Sequence, residues 1–160
     1  MRRVLSILME NELGALSRVA NLFSARAYNI ESLNVAPTEE PSLSRMTVVT
    51  YGDEGAIEQI TKQVNKLIEV FKVIDITDKN HVESELMLVK IRAGDKTHKA
   101  MKDLADSFDG KIINITPKAY IVQVAGDKNK LGFFLAAVGG DDILETARTG
   151  ACGLPSDKDD

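Results

Sequence analysis

Residues 86–109 read LMLVKIRAGDKTHKAMKDLADSFD, and how they are divided decides the fold. Leu86 to Ala93 form an apolar, β-branched run, and after a Gly-Asp-Lys turn the apolar residues Met101, Leu104, Ala105 and Phe108 recur at helical spacing. This is a strand followed by an amphipathic helix. The same order opens the chain: Val4 to Met9 is strand-like, and from Gly14 the apolar positions become Leu16, Val19, Ala20 and Phe23.

Working outward, "KIINITP" (111–117) and "AYIVQVAG" (119–126) continue the later segment as two strands, "KLGFFLAAV" (130–138) as a helix ended by Gly139 and Gly140, and "ILETARTG" (143–150) as a last strand. In the earlier segment, Ile30 to Ala36 and Ser44 to Tyr51 are strands separated by "PTEEPS", a loop marked by two prolines. Ile57, Ile60, Val64, Leu67 and Ile68 restore helical spacing, and "VFKVIDIT" (70–77) is strand-like. Each half therefore reads βαββαβ, an element-level repeat of roughly 75 to 80 residues. The expected class is α+β, with two ferredoxin-like domains in tandem. The boundaries expected are 1–77 for the first domain, 78–83 ("DKNHVE") for a linker, 84–154 for the second domain and 155–160 for an acidic tail.

That topology predicts strand order 4-1-3-2 with both helices on one face. Leu5, Ile7 and Met9 alternate with Val4, Ser6 and Leu8, so both faces of the first strand are largely apolar and the uncovered face predicts a partner. That partner is either a second copy or the second domain of the same chain.

The 160 residues are 44% hydrophobic and 28% charged, with a formal net charge of −4. Lysines and arginines are scattered among acids and only 5% of residues are aromatic, which argues against a nucleic-acid surface. The start "MRRVLSILMENE" imitates a signal peptide, but its apolar part is too short for one, and no stretch approaches the roughly 20 apolar residues that span a bilayer. With the single cysteine, Cys152, no intramolecular disulfide can form, so a cytoplasmic location is expected. His81 and His98 belong to no metal-binding or nucleophile-activating spacing. The glycines of "GDEGAIEQI" and "AGDKNKLGFFL" match neither a P-loop nor a dinucleotide fingerprint. No cofactor or metal site and no catalytic residue is expected on the chain.

The chemistry-bearing segment is "NELGAL", 11–16, where strand meets helix. Such a mouth presents unpaired helix N–H groups, which together with the macrodipole favour an anion. Gly14 and Ala15 are small enough for a carboxylate to reach the backbone of Gly14, Ala15 and Leu16, and Asn11 supplies a donor and an acceptor suited to a zwitterion. The competing reading is that Asn11 and Gly14 only make the turn and cap the helix. A second carboxamide, Asn29, precedes apolar Ile30 in "YNIESL". The helix between them, about 13 residues at about 1.5 Å each, sets the two asparagines close to 20 Å apart. They share a site only if two copies pair their second strands antiparallel about a two-fold axis. A ligand bound there would favour one quaternary arrangement.

Residues 2–49, RRVLSILMENELGALSRVANLFSARAYNIESLNVAPTEEPSLSRMTVV, together with the late ETARTG, closely resemble the small, regulatory subunits of acetolactate synthase (acetohydroxyacid synthase). The resemblance covers nearly the whole chain and implies an N-terminal ACT domain and a C-terminal ferredoxin-like domain. It also implies a non-catalytic subunit that activates a large catalytic subunit, which carries thiamine diphosphate, a divalent metal and FAD. That partner condenses two pyruvates, or pyruvate with 2-oxobutyrate, in branched-chain amino-acid synthesis. L-Valine, as feedback inhibitor, is implied at a homodimer interface, held by Asn11, Gly14, Ala15 and Leu16 of one copy and Asn29 and Ile30 of the other. Where the family commonly has Gly, this chain has Ala27, which costs more in a left-handed helix cap. The alternative is a stand-alone amino-acid-binding module that regulates some other enzyme or a transcription complex.

Overall fold

The computed structural model describes residues 1–157, which form two compact units: Met1–Glu83 together with the chain from Ala151 onward, and Ser84–Gly150. The first unit runs β1 (Arg2–Glu10), α1 (Ala15–Ala25), β2 (Ile30–Pro37), β3 (Leu43–Tyr51), α2 (Glu54–Val64) and β4 (Val70–Asp75). Its antiparallel sheet has the order β2-β3-β1-β4, the predicted 4-1-3-2. β1 lies centrally, with Ile7 opposite Met46 on one side and Val73 on the other. β2 is an edge, hydrogen-bonded to β3 alone among the described strands.

Strand alternation sends Leu5, Ile7 and Met9 to the helix side, where they meet Val19 and Phe23 of α1 and Ile57, Ile60 and Val64 of α2 in one buried cluster. Val4 faces the opposite way and packs with Val49, Ile76 and Ala151 in a second, smaller cluster. That face carries a strand the sequence reading did not contain, β9 (Cys152–Pro155). The Gly153 amide donates to Thr47 Oγ1 at 3.1 Å and the Ser156 amide to the Asn80 carbonyl at 2.8 Å. A Cβ at Gly153 would stand 2.9 Å from Ile76 Cδ1, so glycine is what lets the chain lie so close.

Two boundaries therefore differ from expectation. Residues 151–154, expected in the second domain, group with the first unit because β9 lies against its sheet. The expected linker 78–83 contains the start of β5 (His81–Arg92), and Glu83 within it takes a two-pronged hydrogen bond from Arg2 at 3.0 and 2.6 Å. Part of the acidic tail, 158–160, lies outside the described residues.

The second unit repeats the topology with β5, α3 (His98–Asp106), β6 (Lys111–Ile115), β7 (Ala119–Gly126), α4 (Lys128–Val138) and β8 (Ile143–Arg148), in the order β6-β7-β5-β8. Met87, Val89 and Ile91 pack with Met101, Val122, Leu131 and Phe134, and Phe108 meets Phe134 edge-on at 5.3 Å. The architecture is thus α+β, two ferredoxin-like units with antiparallel sheets. No helix among the described residues is long and apolar enough to cross a membrane.

Candidate functional site

Three of the helices begin on a side-chain cap: Asp53 accepts from the Ala56 amide, Thr97 from Ala100 and Asp127 from Lys130. α1 begins differently. Its N-cap is Gly14, at φ 86°, with no side-chain cap. Only glycine adopts that conformation without steric cost, and the absent side chain leaves the helix mouth bare.

The mouth is held from one side. β1 ends at Glu10, and the next residue, Asn11, donates its backbone amide to the Ser42 carbonyl at 2.7 Å and its side-chain amide to the Pro41 carbonyl at 3.0 Å. Those two bonds fix the carboxamide against the loop between β2 and β3 and leave Oδ1 as an acceptor. Arg18 donates its amide to the Gly14 carbonyl at 2.9 Å, the first bond of the helix. The first-turn amides of Leu16 and Ser17 then have no acceptor within the helix. The Ala15 amide, expected to face a ligand, instead donates to the Glu12 carbonyl at 3.3 Å, and the Ala15 methyl is buried in the core. Leu16 is partly exposed and Leu13 fully so, giving the mouth an apolar border.

The sequence reading missed Arg18. Its guanidinium pairs with Glu69, and Nη2 lies 3.8 Å from where a Gly14 Cβ would stand. A cation therefore borders the mouth, four residues into the helix that the mouth opens. Among the described residues, leaving out the chain neighbours Leu13 and Ala15, the only other heavy atom within 4 Å of that point is the Arg18 guanidinium carbon.

Asn29 and Ile30 lie elsewhere. α1 closes on Ala27 at φ 56°, the left-handed conformation the sequence reading anticipated for this position. The Asn29 carbonyl accepts from Thr50 Oγ1 at 2.6 Å, and Ile30 stands opposite Thr50 in β3. Asn11 is tied to Ser42, before β3, and Asn29 to Thr50, near its end. The eight residue steps from Ser42 to Thr50 separate them by roughly 26 Å at about 3.3 Å per residue. Asn11, Gly14, Ala15 and Leu16 are together at one end of the sheet, and Asn29 and Ile30 are at the other. Among the described residues no three His, Cys, Asp or Glu side chains stand together as metal ligands.

Comparison with known proteins places this geometry in context. Residues 5–72 match the family described as AHAS small subunit-like ACT domain, and residues 84–157 match the one described as small subunit of acetolactate synthase. The acetolactate synthase isozyme 3 small subunit of Escherichia coli is 53% identical over 155 residues, 96% of this chain and 95% of that protein. The acetolactate synthase small subunit of Haemophilus influenzae is 50% identical over 151 residues, 94% and 93% of the two chains. The crystal structure of the acetolactate synthase small subunit from Thermotoga maritima superposes with a TM-score of 0.89 at 34% identity, covering 99% of each chain.

Proposed function

The chain belongs to the acetolactate synthase small-subunit family, and we propose that it is a regulatory subunit that binds and activates a large catalytic subunit and makes it sensitive to L-valine. The chemistry belongs to that partner, which carries thiamine diphosphate, a divalent metal and FAD. This chain contributes a sensor.

The observation that carries the sensor reading is the bare mouth of α1. The valine carboxylate takes the first-turn amides beside Gly14, where the macrodipole favours negative charge. Asn11, fixed by Pro41 and Ser42, offers Oδ1 to the ammonium group. The apolar side chain meets Leu16 and, from a second copy, Ile30.

That second copy docks through β2, whose outer edge is unpaired among the described strands. Antiparallel pairing of two β2 strands about a two-fold axis brings the Ile30 end of one to the Pro37 end of the other. Asn11 is anchored to the loop that follows Pro37, so the partner's Asn29 and Ile30 arrive at the mouth they cannot reach within one chain. Valine held by both copies stabilises that dimer geometry over any alternative, and the catalytic subunit reads the difference as a population shift.

Calorimetric titration of the purified full chain with L-valine tests the sensor, with D-valine as control and the Asn11→Ala variant beside it. Saturable, stereoselective binding that weakens in Asn11→Ala is expected. Binding of unchanged affinity in Asn11→Ala would contradict the assigned site.

A further inference from the structure

Leu8 of β1 lies between Arg45 of β3 and Lys72 of β4 in the strand register. The side chains on this row leave the sheet on the face away from the helices, because the flanking Ile7 and Met9 belong to the helix-side core. Two residues back along β1, Ser6 lies between Thr47 and Ile74 on the same face. Ser6 is buried, and its Oγ accepts a hydrogen bond from Arg45 Nη1 at 3.0 Å. Leu154, Pro155 and Asp157 of the returning chain complete the wall of a cavity of about 240 Å³ around these groups.

Charge distinguishes this cavity. Three other arginines of the first unit sit against carboxylates: Arg2 on Glu83, Arg3 on Asp78 and Arg18 on Glu69. Arg45 and Lys72 line one cavity, and among the described residues neither makes a salt bridge within 4 Å; Arg45 instead donates to the Ser6 hydroxyl. Because Ser6 Oγ already accepts from Arg45, its own proton is available to donate. Of the other lining residues, Leu8, Ile74, Leu154 and Pro155 are apolar and Asp157 is a carboxylate.

We propose that Arg45 and Lys72 bind a small oxyanion, a carboxylate or phosphate group, in this cavity, with Ser6 as a third donor. The guanidinium suits the planar or forked geometry of such a group and the lysine adds a point charge. At about 240 Å³ the cavity is below the usual range for drug-sized ligands and fits a small metabolite. Asp157, the one carboxylate among its lining residues, opposes the ligand and weakens its binding. The site stands on the face away from the α1 mouth and does not depend on the valine reading.

The test is an NMR titration of the ¹⁵N-labelled full chain with inorganic phosphate and, separately, with acetate, at ionic strength held constant with chloride. The amides of Ser6, Leu8 and Ile74 should shift saturably. Affinity should fall roughly tenfold in Arg45→Gln and in Lys72→Gln, the loss of one charge-assisted contact, and should rise in Asp157→Asn. Lys72 is exposed, so its variant folds and carries the test even where Arg45→Gln does not. Saturation by phosphate alone assigns a phosphoryl ligand, by acetate alone a carboxylate, and by both an unselective oxyanion site. Shifts that stay linear with both anions, or affinities unchanged in the Lys72 variant, would overturn the proposal.

Discussion

The Tyr28 amide donates to the Phe23 carbonyl at 3.0 Å across the end of α1, while Ala27 between them holds φ 56°. This is the bond of a Schellman cap, and it needs a left-handed residue at Ala27. An alanine there keeps its Cβ at a steric cost that glycine does not incur. The bond sets where the chain leaves the helix and hence where Asn29, two residues on, is placed.

Ala27→Gly should therefore raise stability by about 1 kcal/mol, the cost of the left-handed methyl exceeding the greater freedom of glycine in the unfolded chain. Urea unfolding of the full chain measures this. An unchanged or lower midpoint would show that the alanine conformation carries no strain.

Phe23 also anchors the core. It is fully buried among Ile7, Val19 and Ile60, and Phe23→Ala should cost about 3–5 kcal/mol through lost burial and the cavity left behind. The same denaturation experiment reads the effect, and a loss under 1 kcal/mol would mean that the helix layer closes over the gap.

Gly153→Ala tests the returning strand. The new methyl would stand 2.9 Å from Ile76 Cδ1 and push β9 off the sheet, weakening the Gly153–Thr47 bond. The expected cost is about 1–3 kcal/mol for overpacking, with faster amide exchange at Gly153 and Ser156. Unaltered exchange at both amides would contradict the packing described for β9.

His81 gives the first unit a pH dependence. Its Nδ1 lies 2.8 Å from the Lys79 carbonyl and its Nε2 2.9 Å from Glu83 Oε1, both of which only accept, so the imidazolium satisfies both bonds. Burial pulls its pKa down, but the hydrogen bonds to Glu83 and Lys79 and the Glu83 charge outweigh that and raise it above 6.5. The Arg2 hydrogen bond, partly opposed by burial, holds Glu83 below 4.5. The His81 contribution is complete below pH 6.5 and is lost as pH rises through the raised value. The Glu83 contribution is present above pH 4.5 and is lost as pH falls through the lowered one. Urea midpoints against pH should decline above 6.5 in the wild type and lose that decline in His81→Gln.

The two βαββαβ units were legible because Leu5, Ile7 and Met9 alternate while Val19, Phe23, Ile57, Ile60 and Val64 recur at helical spacing, a local signal in each case. β9 gave no such signal: Cys-Gly-Leu-Pro contains two poor strand formers, and the bonds that hold this segment reach back to Asn80 and to Thr47, the latter more than a hundred residues earlier. The mouth at Gly14 showed itself in small residues next to a helical pattern. The clamp on Asn11 from Pro41 and Ser42 and the Arg18–Glu69 pair depend on how β1, β3 and β4 align, which spacing along the chain does not contain.

Gly14→Asp probes the proposed sensor within the assembled enzyme. A carboxylate at φ 86° would occupy the space above the mouth, approach Arg18 and repel the ligand's own carboxylate. Valine inhibition of the assembled enzyme should disappear while activation persists. Full valine sensitivity in a folded Gly14→Asp protein would remove the mouth from the site.

Regulation is tested by mixing the purified chain with an acetolactate synthase catalytic subunit and following acetolactate formation from pyruvate, with and without L-valine. The rate should rise on adding the chain and fall when valine follows. A rate that the chain leaves unchanged at saturating concentration would contradict a regulatory role.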